Sequence, residues 1–248
     1  LIPYRGKIAI FLLSLIVALL FSQNGNGIMA NSEADNQYLR KRLEMVENQL
    51  RARGIKDKSV LESMATVPRH FFVPISLIEQ AYDDTPLPIG YNQTISQPYI
   101  VALMTEAAEL KNTDIVLEIG TGCGYSAAVL SHLAKQVYSS EIIPKLARVS
   151  QINLKKLNYN NVIVITGDGS AGFPEHGPFN AILVTAMAPA IPQALKEQLA
   201  LKGRLIIPVK NGHSEELKKI TRLDMRTYEE ENLGAVRFVP LKGNHGWV

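Results

Sequence analysis

A chain of 248 residues, 46% hydrophobic and 20% charged, can bury one sizeable core, and its composition excludes extensive disorder beyond the N-terminus. The formal charge of +3 drops to +1 once Arg5 and Lys7 are set aside, 24 basic residues against 23 acidic, which leaves no electrostatic footprint for nucleic acid. One cysteine, Cys123, excludes an internal disulfide, and the five histidines show no HxH or HxxxH spacing, so no metal is expected.

Residues 1–28 hold Arg5 and Lys7 ahead of an apolar run, 8–21, broken only by Ser14. That is the layout of a secretory signal, and it is short for a membrane span. Met29 opens a soluble-looking start, so the alternative is that residues 1–28 lie upstream of the true start and the protein is cytoplasmic. The cytoplasmic reading is preferred; export or membrane anchoring is the other.

Leu39, Leu43, Val46 and Leu50, then Val60, Leu61, Met64 and Ala65, recur at helical spacing and predict two packing helices ending before Gly54 and Pro68. Residues 71–98, with Pro74, Pro86, Pro88 and Gly90, read as a long loop-rich passage, which in a compact domain is usually functional or disordered. From Asp114 the pattern changes to short β-branched runs alternating with helices. Strands are predicted over 115–119, 137–141, 162–166, 181–185 and 204–209, and helices over 125–134, 143–157 and 192–199. Two further strands, 216–223 and 233–241, would form a closing hairpin. Continuous apolar strands separated by helices indicate an α/β fold, a mostly parallel sheet covered on both faces. The expected organisation is a single domain over 29–248, with a helical appendage at about 36–110 and a Rossmann-like core at about 112–242.

The first core strand runs directly into Gly120-Thr121-Gly122-Cys123-Gly124 and a helix. Glycines belong here because the backbone must turn sharply and approach a ligand beside the helix N-terminus. Gly122 to Ala127 also fits the dinucleotide fingerprint literally, so hydride transfer remains a rival. Three acids raise the specificity. Glu118, two residues before Gly120, can organise the loop around a cationic amino-acid ligand. Glu141 ends the next strand, where a carboxylate can accept from both ribose hydroxyls. Asp168, within Gly167-Asp168-Gly169 at the end of the third strand, is placed to meet an adenine amino group. Each acid alone is more often a solvated strand end or a turn; three on one rim point to a nucleoside pocket.

Read with Pro86-Leu87-Pro88-Ile89-Gly90, Gln93-Thr94-Ile95-Ser96-Gln97-Pro98, Val67-Pro68-Arg69, Val184-Thr185-Ala186, Gly203-Arg204-Leu205 and Val236-Arg237-Phe238-Val239-Pro240-Leu241, the chain resembles the protein-L-isoaspartate O-methyltransferases from Met45 to about Lys242. The resemblance implies a seven-stranded, Rossmann-like methyltransferase fold with its last two strands in that family's own order. It also implies S-adenosyl-L-methionine as cofactor, bound by Glu118, Gly120, Thr121, Gly122, Gly124, Glu141, Asp168 and Gly169. Ser96 corresponds to the family's active-site serine, with Thr94, Ile95, Pro98 and Val239 as substrate contacts. Damaged proteins or peptides containing L-isoaspartate are the implied substrates, with no obligate partner and a monomeric state. Three departures stand out: Cys123 where many members have Ser, Tyr91-Asn92 in place of a glycine-containing pair, and Asn180 for the usual Asp.

A sulfonium methyl is already activated and an acceptor carboxylate is ionised at neutral pH, so no general base is required. Ser96 would orient that carboxylate; the competing role is a cap on a helix starting near Pro98. Other readings stay open. An oxidoreductase would want a Tyr-Lys pair, yet neither Tyr138 nor Tyr159 has a Lys four residues later. A non-catalytic binder would keep the fold but not an intact set of Glu118, Glu141, Asp168 and Ser96. A nucleic-acid or small-molecule methyltransferase is disfavoured by the near-neutral core charge.

Overall fold

Local signals set the helices of the N-terminal part. The computed structural model describes residues 32–247, so the apolar run and the signal or start-site readings of residues 1–28 lie outside the described residues. Helix α1 (Ser32–Met45) continues through a π-helical turn, Val46–Leu50, and a 3-10 turn, Arg51–Arg53. It ends at Gly54, whose φ of 100° is the left-handed conformation that glycine adopts without a Cβ penalty. Val46 and Leu50 are buried, whereas Leu43 is turned to solvent. Asp57 caps α2 (Lys58–Thr66), its Oδ1 accepting from the Ser59 and Val60 N–H groups at 2.8 and 3.1 Å.

The passage expected to be loop-rich holds two 3-10 turns, Arg69–Phe72 and Ile75–Gln80, and a small hairpin of β1 (Leu87–Gly90) and β2 (Gln93–Ile95). Its two-residue turn, Tyr91-Asn92, has φ of 53° and 56°, the positive-φ pair that matches strand twist in tight hairpins. Helix α3 (Pro98–Ala107) starts at Pro98, as its fixed φ favours. Its cap does not come from Ser96. Asp84 supplies it from fourteen residues upstream, Oδ1 accepting from the Tyr99 N–H at 3.1 Å and Oδ2 from Gln97 Nε2 at 2.8 Å, with the Arg53 guanidinium paired to the same carboxylate. Substituting Asp84→Ala removes a cap and a partly buried ion pair, a loss of about 1–2 kcal/mol. The expected result is a melting temperature lower by roughly 3–6 °C in calorimetry; an unchanged value would refute the capping role.

The core strands are β3 (Ile115–Ile119), β4 (Gln136–Glu141), β5 (Val162–Thr166), β6 (Phe179–Val184), β7 (Leu199–Asn211), β8 (Ser214–Arg222) and β9 (Tyr228–Ala235). They form one sheet in the order β5-β4-β3-β6-β7-β8-β9, parallel from β5 through β7 and antiparallel for β8 and β9. Helices α4 (Tyr125–Ser131), α5 (Pro144–Lys156) and α6 (Gln193–Glu197) follow β3, β4 and β6. Alternate residues of the central strands enter two cores. Leu117, Ile119, Ile182, Val184, Leu205 and Ile207 pack with Leu195 of α6, while Val116, Val137, Leu183 and Ile206 pack with Met104 of α3 and Leu130 of α4. Each such side chain contributes about 1.5–3 kcal/mol by leaving water, which explains why these strands carry no polar alternation.

The closing hairpin exists, but its second strand lies earlier than the 233–241 the sequence suggests. Strand β9 carries Glu229, Glu230 and Glu231 and is exposed along most of its length. As an edge strand it tolerates that charge, and Lys218 on β8 pairs with Glu230 at 3.2 Å. The apolar 236–241 run leaves the sheet instead and crosses to the end of β6. There Met187 N–H donates to Val239 O and Leu241 N–H to Met187 O, both at 2.8 Å. Helix α6 is also shorter than the predicted 192–199, because Leu199 already pairs with Phe179 in the sheet.

Candidate active site

Parallel strands aim their carboxyl ends at one rim, and β3 sits where the order reverses, with β4 on one side and β6 on the other. That crevice is where open α/β sheets bind ligands. After Ile119 the chain turns through Gly120, φ 101°, and the Gly120 and Thr121 N–H groups both donate to Ser140 O at the end of β4, at 2.8 and 3.0 Å. A Cβ on Gly120 would strike Thr185 Oγ1. That hydroxyl, just past β6, donates to Gly120 O at 2.7 Å and to Ile119 O at 3.0 Å. Three strand ends are thereby tied together around the loop.

Glu141 ends β4 with its carboxylate gripped by the backbone: Oε2 accepts from the Gly122 N–H at 2.8 Å and Oε1 from the Ile143 N–H at 2.9 Å. Both oxygens keep lone pairs towards a cavity of about 590 Å³, which Glu141, Gly120, Gly122 and Gly169 line together with Thr94 and Val239. Gly169 is obligatory by contact, because a Cβ there would overlap the Ser140 hydroxyl. A second cavity of about 340 Å³ is lined by Ser96, Thr94, Ile95, Thr121, Cys123, Tyr125 and Ser126. The two share Thr94, Gly120, Gly122 and Thr185, so they meet at the glycine loop. Ser96 makes no hydrogen bond among the described residues, leaving its hydroxyl available.

Four predicted residues are elsewhere. Gly124 caps α4 with φ 94° and packs on Leu154, and Pro98 is buried at the start of α3. Glu118 lies wholly buried beneath the loop. One of its oxygens accepts from Ser139 Oγ, whose own partner is Thr121 Oγ1 at 2.6 Å, and Glu118 Oε1 has no partner among the described residues. Burial pushes its carboxyl up to about 7 against the pull of the Ser126 and Ser139 hydroxyls. Asp168 uses both oxygens to hold backbone, Oδ1 accepting from Ser170 N–H and Oδ2 from Asn244 N–H, each at 2.8 Å. Burial opposes its ionisation, but these amide bonds prevail and hold it below the ordinary carboxylate range. It therefore fastens the C-terminal segment over the large cavity, which Pro240, Leu241 and Lys242 help to line.

Cys123 is buried, and its desolvated thiol is pushed up to about 11. Asn180, the second residue of β6, accepts from the Ile115 N–H at 2.9 Å, a structural bond, and lines neither cavity. Ser139 and Ser140 escaped sequence reasoning, and Thr185 was noticed only within the Val184-Thr185-Ala186 run and not as a site residue. Their only signal was a run of hydroxyl residues at the ends of otherwise apolar strands.

A family model described as protein-L-isoaspartate(D-aspartate) O-methyltransferase matches residues 40–246. The chain belongs to this family. It is 52% identical over 214 residues to a protein-L-isoaspartate O-methyltransferase of Syntrophus aciditrophicus, covering 86% of this chain and 98% of that protein. It is 54% identical over 203 residues to one of Syntrophobacter fumaroxidans, covering 82% and 94%. Among solved structures it resembles a Plasmodium falciparum family member in complex with S-adenosyl-L-homocysteine, at 29% identity and a TM-score of 0.72 over 82% of this chain and 99% of that one. A second protein-L-isoaspartate O-methyltransferase structure gives 29% identity and a TM-score of 0.74, over 84% and 67%. In the sheet β7, β8 and β9 follow one another in sequential order. No helix among the described residues is long and apolar enough to cross a membrane, and no group of three or more His, Cys, Asp or Glu side chains among them could hold a metal.

Proposed function

We propose that this protein transfers the methyl group of S-adenosyl-L-methionine to the free α-carboxylate of L-isoaspartyl residues in damaged proteins and peptides, and so starts repair through a methyl ester and a succinimide. The observation that carries the reading is the junction of two cavities at the glycine loop, one lined by Glu141 and bare glycine backbone and one holding Ser96. The cofactor supplies an activated methyl on a sulfonium.

The chain's own residues fit that group. Glu118 has an unpartnered oxygen under the loop and can receive a positive charge brought to it. Glu141, fixed by two amides, offers its remaining lone pairs to ribose hydroxyls, and the bare backbone of Gly120, Thr121, Gly122 and Gly169 allows close approach. Asp168 keeps one lone pair per oxygen for an adenine amino group while it holds Asn244. On the acceptor side, the free Ser96 hydroxyl donates to the α-carboxylate. Thr94 and Ile95 wall the passage between the cavities, Val239 closes the nucleoside side and Pro98 fixes the turn into α3.

Because the acceptor is ionised already, these residues work by positioning and by excluding water. The protein is read as one methyltransferase domain over 29–248. It acts as a monomer in the cytoplasm, where the methyl donor is made.

Methyl transfer to paired synthetic peptides that differ only in an isoaspartyl or aspartyl linkage tests the reading. Base-labile label should appear on the isoaspartyl peptide alone. Ser96→Ala should lower kcat by roughly 10–100-fold while S-adenosyl-L-homocysteine binding stays within about twofold. No label on either peptide, with the cofactor product still bound, would sink the proposal.

A further inference from the structure

An arginine in the interior needs an anion or several hydrogen-bond acceptors, because removing its charge from water is costly. Arg69 is wholly buried. Its Nε donates to Ala81 O at 2.7 Å, but Nη1 and Nη2 have no partner among the described residues. The side chains that act on the guanidinium are those of Tyr125, Cys123 and Tyr82, none of them a carboxylate. Its central carbon lies 4.8 Å from the centre of the Tyr125 ring. Arg42 stands near Tyr82, Tyr125 and Tyr159, and its Nε is also buried without a partner. Two cations thus share one aromatic cluster behind a single wall.

That wall belongs to the smaller cavity, which Tyr125 and Cys123 line with Ser96, Thr121 and Ser126. The cavity carries hydroxyls but no charged side chain of its own. We propose that Arg69 is a specificity-determining positioning residue: its charge, paired with no carboxylate and set against Tyr125 and Cys123, gives the Ser96 cavity a positive potential that selects an acceptor bearing a carboxylate over one whose carboxyl is neutral. The inference rests on the reading of this cavity as the acceptor space.

Its kinetic signature follows from charge. In the transfer a carboxylate oxygen forms the new bond to the methyl carbon as the carbon–sulfur bond breaks, the electron pair stays on sulfur, and no proton moves. The acceptor's negative charge is largest before the step and absent from the ester. The carboxylate still carries much of its negative charge while the new bond is forming, so a fixed positive potential holds the bound acceptor and the transition state to a similar degree and acts on KM far more than on kcat. It also favours departure of the neutral ester.

The test uses the full chain and its Arg69→Met and Arg69→Lys variants. Three quantities are read: kcat and KM for an isoaspartyl peptide, the inhibition constant of the same peptide with its α-carboxyl as the carboxamide, and the affinity for S-adenosyl-L-homocysteine. In Arg69→Met, KM should rise about tenfold with kcat, carboxamide inhibition and S-adenosyl-L-homocysteine affinity each within about twofold, and Arg69→Lys should restore most of the loss. A parallel rise in KM and in the carboxamide constant would show a packing role and overturn the proposal. So would a wild-type protein that binds carboxamide and carboxylate peptides equally, a result that needs no variant to fold. Absence of methylation by the wild type would instead strike the acceptor reading itself, which keeps the two failures apart.

Discussion

Gly120→Ala is expected to weaken S-adenosyl-L-homocysteine binding about a hundredfold or more. The residue is held at φ 101°, where an L side chain adds on the order of 1–3 kcal/mol of strain. The new methyl would also displace Thr185 Oγ1, breaking its bonds to Gly120 O and Ile119 O and uncoupling β6 from the loop. Strain and collision are relieved only by moving the loop out of the cavity it lines, and that displacement is what the roughly 2.7 kcal/mol of a hundredfold loss would measure. Gly54→Ala is the control: its φ is 100°, yet nothing lies within 4 Å of the added carbon, so it should cost some stability and leave affinity unchanged. Titration calorimetry on both variants and on Gly120→Ala/Thr185→Ala checks the account. If the double variant recovers no affinity, the Thr185 collision is not the cause.

Binding should also depend on pH through Glu118. In the protein without cofactor, burial raises this carboxyl from an ordinary 4.5 to about 7. The sign follows from which form the fold prefers. A raised carboxyl contributes stability that is fully present below about pH 4.5 and is lost as the pH climbs through about 7, on the order of 3 kcal/mol in all. On the proposed assignment of Glu118 to the amino group of the cofactor's methionine part, pairing with the ionised form would reverse that preference. Affinity for S-adenosyl-L-homocysteine should therefore improve roughly eightfold between about pH 6 and about pH 7.5, with a proton released on binding near neutrality. Glu118→Gln should bind more weakly and lose the pH dependence. A wild-type affinity flat across this interval would show that Glu118 is ionised without ligand.

Much of this was readable in advance, for identifiable reasons. Strands buried on both faces announce themselves as apolar runs, so β3, β4, β5 and β6 were found to within about two residues. The glycine loop and Glu141 were legible because close backbone approach and a strand-end acid are local requirements. Edge positions were not. Three glutamates conceal β9, and the apolar 236–241 run resembles a strand although its neighbours are Met187 and the large cavity. Pro88, Gly90 and the Tyr91-Asn92 turn hid the β1–β2 hairpin from any test of alternation. Partners far apart in the chain were out of reach as well: Asp84 capping α3, Asp168 holding Asn244 and Thr185 locking Gly120 depend on the fold, not on spacing. Arg69 stood inside a recognised run, Val67-Pro68-Arg69, but its burial without a carboxylate partner is a property of the packed molecule alone.

The burial of Cys123 bears on how long such a protein can work. Chemical ageing reaches thiols through their anions, and a thiol displaced to about 11 is ionised in only about one molecule in ten thousand at pH 7. Cys123 sits between Gly122 and Gly124 with its carbonyl held by Asn153 Nδ2 at 3.1 Å, and only 4% of the residue's surface is exposed. A catalyst whose substrates are old proteins is in this way shielded from one of the main routes by which proteins grow old.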